Sequence, residues 1–176
     1  RGDFPPAEVR RPGNAPIASE ALRHTSLFSM AMDCADIDRD GKDDFLVADM
    51  LSPDHARRQI QVMESMAYAQ LRNTDADRPQ YLRSMLFHNR GNGTYAEIAQ
   101  FAGVDASDWT WSPIFLDVDL DGYEDLLIAT GHWRDAQHRD VTQEIEELSR
   151  KKGMTAREKL YLRKRFPRLN TPNYLF

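Results

Sequence analysis

One nine-residue pattern, present twice, restricts this chain more than any other feature. Asp36-Ile37-Asp38-Arg39-Asp40-Gly41-Lys42-Asp43-Asp44 runs into Phe45-Leu46-Val47-Ala48, and Asp117-Val118-Asp119-Leu120-Asp121-Gly122-Tyr123-Glu124-Asp125 runs into Leu126-Leu127-Ile128-Ala129. Both copies read D-x-D-x-D-G-x-x-D ahead of an apolar run. Carboxylates crowded so closely repel one another. A hard divalent cation reverses that sign, because calcium takes six to eight oxygen ligands at about 2.3–2.6 Å from carboxylates, carbonyls and water. Alternate placement turns the first three carboxylates into one concave bend, and Gly41 or Gly122 permits the sharp turn behind them.

An EF-hand loop opens similarly but ends on a bidentate glutamate at position 12 and is flanked by helices. Position 12 here is Val47 or Ile128, and both loops exit into β-type apolar runs. The aspartate at position 9 closes a shorter loop instead, with the position-7 carbonyl of Lys42 or Tyr123 as a main-chain ligand. Laid in register, the copies stand 81 residues apart, and the likeness extends backwards, Phe28-Ser29-Met30-Ala31 facing Trp109-Thr110-Trp111-Ser112. This is an internal repeat whose unit is strand, acidic loop, strand.

The rest of the chain reads around that unit. Residues 1–24 form an extended N-terminal segment or linker, with four prolines and no periodicity. Thr25–Met32 reads as a strand entering the first loop, and Phe45–Ala48, apolar at every position, as a strand covered on both faces. Ser52-Pro53 marks a helix start with Ser52 as N-cap, and Ile60, Met63, Ala67 and Leu71 share one face up to about residue 72. Met85–His88, the Asn89–Gly93 turn and Thr94–Ile98 read as a β-hairpin. Val141–Lys152 reads as a helix, with acids early, bases late and Gly153 ending it. Thr155 with Glu158 makes a capping box for a further helix to about Arg165. Asn173-Tyr174-Leu175-Phe176 resembles the start of the hairpin around Leu86-Phe87.

The acidic loops, together with the N-x-G-x-G-T-[YF] turn between them, resemble the FG-GAP/VCBS repeat. Asp36–Met50, Leu86–Ile98, Asp108-Trp109-Thr110-Trp111-Ser112-Pro113, Asp117–Gly131 and Pro172–Phe176 narrow the likeness to the bacterial branch often found with an ASPIC/UnbV domain. The resemblance covers about residues 25–176. It implies an all-β fold with helical insertions at about 53–72 and 141–165, forming two to three blades of a calcium-binding β-propeller. It also implies that Asp36, Asp38, Asp40 and Asp44 hold one ion and Asp117, Asp119, Asp121 and Asp125 another, about two Ca2+ in all. An exported, cell-surface or periplasmic protein follows, serving adhesion or binding of a protein or glycan ligand. The copies lie farther apart than a repeat of this type usually does, which helical insertions would explain. So few blades do not close a ring, and the chain, opening on Arg1, reads as part of a larger one.

Bulk properties agree with a globular chain. Hydrophobic residues make up 41% and charged residues 29%, which excludes a disordered polyelectrolyte, and no apolar run reaches the roughly 20 residues of a membrane span. The net charge is −5, yet without the eight aspartates at the shared D-x-D-x-D-G-x-x-D positions 23 basic residues would face 20 acidic ones. The acidity therefore resides in the loops, and two divalent ions would nearly cancel it. Cys34 excludes an internal disulfide and, in an apolar-alternating stretch, reads as a buried thiol. His132 and His138 stand near Asp135 and Asp140, so the rival to a binding module is a propeller-fold polysaccharide hydrolase or lyase using that loop. Trp109, Trp111 and Trp133 could stack on sugars, but the first two occupy repeat positions that favour core. Nine basic residues against one acid in Arg150–Arg168 spread around two helices as a solvated face rather than a nucleic-acid patch.

Overall fold

The computed structural model describes residues 21–61 and 79–176. Most of the expected N-terminal linker, and the helix-face positions Met63, Ala67 and Leu71, lie outside the described residues. The fold is built on β-sheet with helices in the connections. β1 (Thr25–Ser26) pairs in parallel with β4 (Gln80–Tyr81). β2 (Ala31–Ala35), β3 (Asp44–Ala48), β5 (Met85–Asn89) and β6 (Tyr95–Glu97) form a four-stranded antiparallel meander in that order. β7 (Thr110–Leu116), β8 (Asp125–Thr130) and β9 (Tyr174–Leu175) form a three-stranded antiparallel sheet. Each acidic loop is thus the hairpin connection between the first two strands of its sheet. Among the described residues no sheet closes on itself.

Helices fill the connections. α1 (His55–Ile60) follows β3, α2 (Ala99–Ala102) follows β6, and α3 (Arg139–Lys152) and α4 (Ala156–Leu162) lie between β8 and β9. A 3-10 turn, Arg163–Arg165, finishes α4. No described helix is long and apolar enough to cross a membrane.

The core lies between the two larger sheets. Leu46 and Ala48 of β3, Leu86 of β5, Ala99 and Val104 around α2, and Leu126 and Ile128 of β8 form one buried cluster. Ile37, Ile98, Phe115 and Tyr174 pack against it. Period-2 alternation explains the choice, because Leu46 and Ala48 share one face of β3 and Leu126 and Ile128 one face of β8. Phe45, on the other face of β3, stacks on Phe87 at 4.8 Å and meets Tyr95 edge-on at 5.1 Å. That face is covered by an aromatic layer and stays half-buried. β2 and β7 pack alongside each other, joined where the Phe115 N–H donates to an Asp33 carboxylate oxygen at 2.7 Å.

Local expectations are met where the determinants are local. The hairpin forms with Arg90 N–H donating to Thr94 O at 3.0 Å, and Gly91 and Gly93 carry φ of +71° and +81°. α3 ends on Gly153 at φ +56°, and the Thr155–Glu158 capping box is complete. Other expectations are corrected. The single strand over Thr25–Met32 is broken, because Ser29 takes φ +47° and the buried Asp49 carboxylate accepts from Ser26 Oγ at 2.5 Å and Phe28 N at 3.0 Å. The N-cap of α1 is Asp54, whose carboxylate accepts from Arg57 N, while Ser52 is buried before it. Cys34 is exposed, since it shares the outward face of β2 with Met32. Trp111 is 48% exposed rather than core, because the β7–β8 register slips between Thr110 and Ser112, and its indole N–H donates to Gly131 O. Trp109 is half-buried and stacks on His132 at 4.3 Å.

Two measurements check this packing. Leu46 is fully buried, so Leu46→Ala should cost about 2–5 kcal/mol in guanidinium unfolding. Glu97, at the end of β6, pairs with Arg83 at 2.7 Å and accepts from Ala99 N at 2.8 Å. Burial raises the Glu97 pKa, but the Arg83 hydrogen bond, the Ala99 N–H and the Arg83 charge together outweigh it, and the net shift is downward. A lowered folded pKa contributes stability at neutral pH that is lost as pH falls below the ordinary glutamate value of 4.5. Glu97→Gln should therefore be less stable than the parent at pH 7 and lose less stability on acidification, read from urea midpoints along a pH series.

Candidate metal centre

The two acidic loops have the same backbone for the same reason. In the first, Asp36 accepts from Asp40 N at 3.0 Å through one oxygen and from Gly41 N at 2.8 Å through the other. In the second, Asp117 accepts from Asp121 N at 3.0 Å and Gly122 N at 2.8 Å. Asp38 and Asp119 accept from those same Asp40 and Asp121 N–H groups at 3.2 and 3.1 Å. Asp40 and Asp121 in turn accept from Lys42 N and Tyr123 N at 3.0 and 2.8 Å. The last aspartate closes each loop, Asp44 accepting from Ile37 N at 3.2 Å and Asp125 from Val118 N at 2.9 Å. These N–H bonds draw the carboxylates inward and leave further oxygens for a ligand.

Positive φ falls at two matching positions in each copy. Gly41 and Gly122 take +83° and +90°, as the sharp bend requires, and Arg39 and Leu120 take +59° and +61°. The second pair has no sequence signal, since neither residue favours a left-handed backbone.

Oxygens of Asp36, Asp38 and Asp40 lie within 4.8 Å of one another, as do oxygens of Asp117, Asp119 and Asp125. Such all-oxygen sets could hold a hard divalent cation such as calcium. The loops differ in what already balances their charge. In the first, the Lys42 ammonium pairs with the Asp40 carboxylate. That hydrogen bond holds the Asp40 carboxyl below its ordinary pKa and lifts Lys42 above its own. Asp121 has no ion pair among the described residues.

A third grouping, Asp38, Asp44 and His88, adds a nitrogen to the first loop. His88 Nδ1 lies 3.2 Å from Asp44 and Nε2 lies 3.7 Å from Asp38. Asp44 is buried and also accepts from Asn89 N at 2.6 Å. The pairing of β3 with β5 brings His88 here, so the sequence spacing gave no warning of it. The loops are neighbours in space, with the Arg39 guanidinium over the Tyr123 ring at 3.9 Å.

The His132–Asp140 loop does not assemble an acid–base pair. His132 Nδ1 lies 2.5 Å from Arg134 O, Asp135 is buried 3.4 Å from Arg57 Nε, and His138 stands at the N-cap position of α3 without a side-chain capping bond. Asp140 is exposed in the first turn of α3.

Residues 76–128 match the family model described as FG-GAP-like repeat. The match takes in the β5–β6 hairpin, β7, the second acidic loop and the start of β8, and it supports the FG-GAP family. No curated protein and no solved structure matches the chain.

The loop backbone can be tested apart from any metal. A Cβ on Gly41 would meet nothing within 4 Å, so Gly41→Ala isolates the left-handed strain and should cost about 1–2 kcal/mol in metal-free buffer. At Gly122 the added Cβ would also meet Arg39 Nη2 at 3.1 Å, so Gly122→Ala should cost at least as much.

Proposed function

We propose that this protein is a calcium-stabilised binding module of FG-GAP type, in which each acidic loop holds one ion at the corner between two strands. The observation that carries this reading is the matching set of backbone N–H to carboxylate bonds in the two loops. The match sets clustered carboxylates at the same corner of both sheets, 81 residues apart in sequence, where a hard cation would offset their repulsion. Asp36, Asp38, Asp40 and Asp44 serve the first ion and Asp117, Asp119, Asp121 and Asp125 the second, with main-chain carbonyls of Lys42 and Tyr123 completing the sets.

On this reading the β2-β3-β5-β6 meander is one propeller blade and β7-β8-β9 the first three strands of the next. Support comes from the antiparallel order and from β2 lying beside β7, as first strands of neighbouring blades would. The turn Asn89–Tyr95 and the Asp108–Pro113 segment favour the ASPIC/UnbV-associated bacterial branch. FG-GAP repeats are common in extracellular adhesion-type modules. Exposed loops of this kind suit a compartment with abundant calcium, which favours an exported protein, and the adhesion-type setting of such repeats favours binding of a protein or glycan.

Metal that binds only the folded state adds RT ln(1 + [L]/Kd), about 2.7 kcal/mol at a hundredfold excess over Kd. For a chain of this size each kcal/mol moves Tm by roughly 2–4 °C. Calcium titration followed by thermal melting should therefore raise Tm by several degrees. The Lys42 ammonium competes for the first loop, so Asp121→Ala should remove more of the shift than Asp40→Ala, and Lys42→Ala should tighten calcium binding. An unchanged Tm at millimolar calcium would sink the proposal.

A further inference from the structure

A cleft of about 1040 Å³ opens where α3, α4 and the turn after α4 face the segment following β8. Its wall holds four cationic side chains, Arg134, Lys159, Arg163 and Lys164, against one acid, Glu146. Lys159 and Arg163 make no ion pair among the described residues, so these charges are not spent inside the protein. Lys159 and Arg163 stand one turn apart and line the cleft with Lys164, while the remaining basic residues of 150–168 lie outside its wall and are exposed, as the spread expected from sequence requires.

Two indoles share the wall, those of Trp109 and Trp133. Trp133 is 69% exposed, with the Arg134 guanidinium 4.8 Å from its ring centre. Trp109 stacks on His132. The Trp109 Nε1–H and Arg134 Nε–H groups are buried and have no acceptor among the described residues. The wall thus sets four cations against one acid, beside broad apolar rings.

We propose that this cleft binds an acidic oligosaccharide, its carboxylates held by Lys159, Arg163 and Lys164 and a sugar ring lying on Trp133. Carboxylates accept hydrogen bonds and donate none when ionised, which matches this wall, and an amphipathic ring offers an apolar face for an indole. A cleft of this volume suits a short oligosaccharide. A nucleic-acid strand fits less well, because the net charge is −5 and α3, which faces the cleft, carries Glu144, Glu146 and Glu147. The proposal deepens the binding-module reading and rests on it, but it does not depend on calcium occupancy.

The test is equilibrium binding of fluorescent tetragalacturonate by the whole protein at fixed calcium and two salt concentrations, beside neutral maltotetraose and an oligothymidylate. Tetragalacturonate should bind best, and more weakly at high salt. Trp133→Ala and the Lys159→Gln, Arg163→Gln pair should each weaken it about tenfold or more while leaving the calcium-dependent Tm unchanged. Unaltered binding in those variants, equal binding of maltotetraose, tighter binding of the oligothymidylate, or no binding of tetragalacturonate would overturn the proposal. A calcium-dependent Tm that survives such a failure would leave the module reading standing.

Discussion

The structure depends on one local arrangement, a carboxylate that accepts two N–H groups of the turn it opens. Asp36 and Asp117 do this with nearly identical distances, and everything downstream takes its geometry from them. The bond from Gly41 or Gly122 requires positive φ at that residue, and the turn delivers β3 or β8 antiparallel to the strand before it. Only in that pairing do Leu46 and Ala48 face Leu126 and Ile128 across the core. The loops are therefore structural first. Any ion they take reinforces a corner that the backbone already makes.

Charge is the price of this solution. Gathering carboxylates costs Coulomb energy at every pH where they are ionised, and the protein offsets it unequally. In the first loop Lys42 and His88 stand beside Asp40 and Asp44, and Asp44, buried, has two further partners, the Ile37 and Asn89 N–H groups, to share its charge. The second loop has the Arg39 guanidinium over the face of its Tyr123 ring and keeps Asp121 without an ion pair among the described residues. Two loops of one pattern thus differ in how strongly they should call for an external cation.

A second polar system ties the helical connections to the sheets. Arg57 of α1 pairs with Asp108, which precedes β7 at φ +60°, and with Asp135 after β8. Gln61 reaches Gln137 beside it. Burial raises the pKa of the Tyr174 hydroxyl, and the charge of nearby Asp108 adds to the shift. Buried pairs of this kind contribute little net stability but make the alternatives costly, because removing one partner strands the other. They fix where α1 and the segment after β8 sit, and so help set one wall of the cleft.

The sequence by itself determined the acidic loops, the β5–β6 turn, α3 and the capping box of α4. Each is set by residues within a few positions of one another, where identity and spacing state the hydrogen bonds outright. Tertiary structure alone decided the rest. His88 reaches the first loop from 44 residues away, and Arg57 meets Asp108 across 51, distances at which spacing carries no information. The exposure of Cys34 and Trp111 depended on which strand face found a partner and on a register slip in β7. Residues of α4 and its following turn became a cationic wall only when the helix packed opposite Trp109 and Trp133. Local chemistry fixes the shape of each turn, and burial between sheets fixes which side chains those turns bring together.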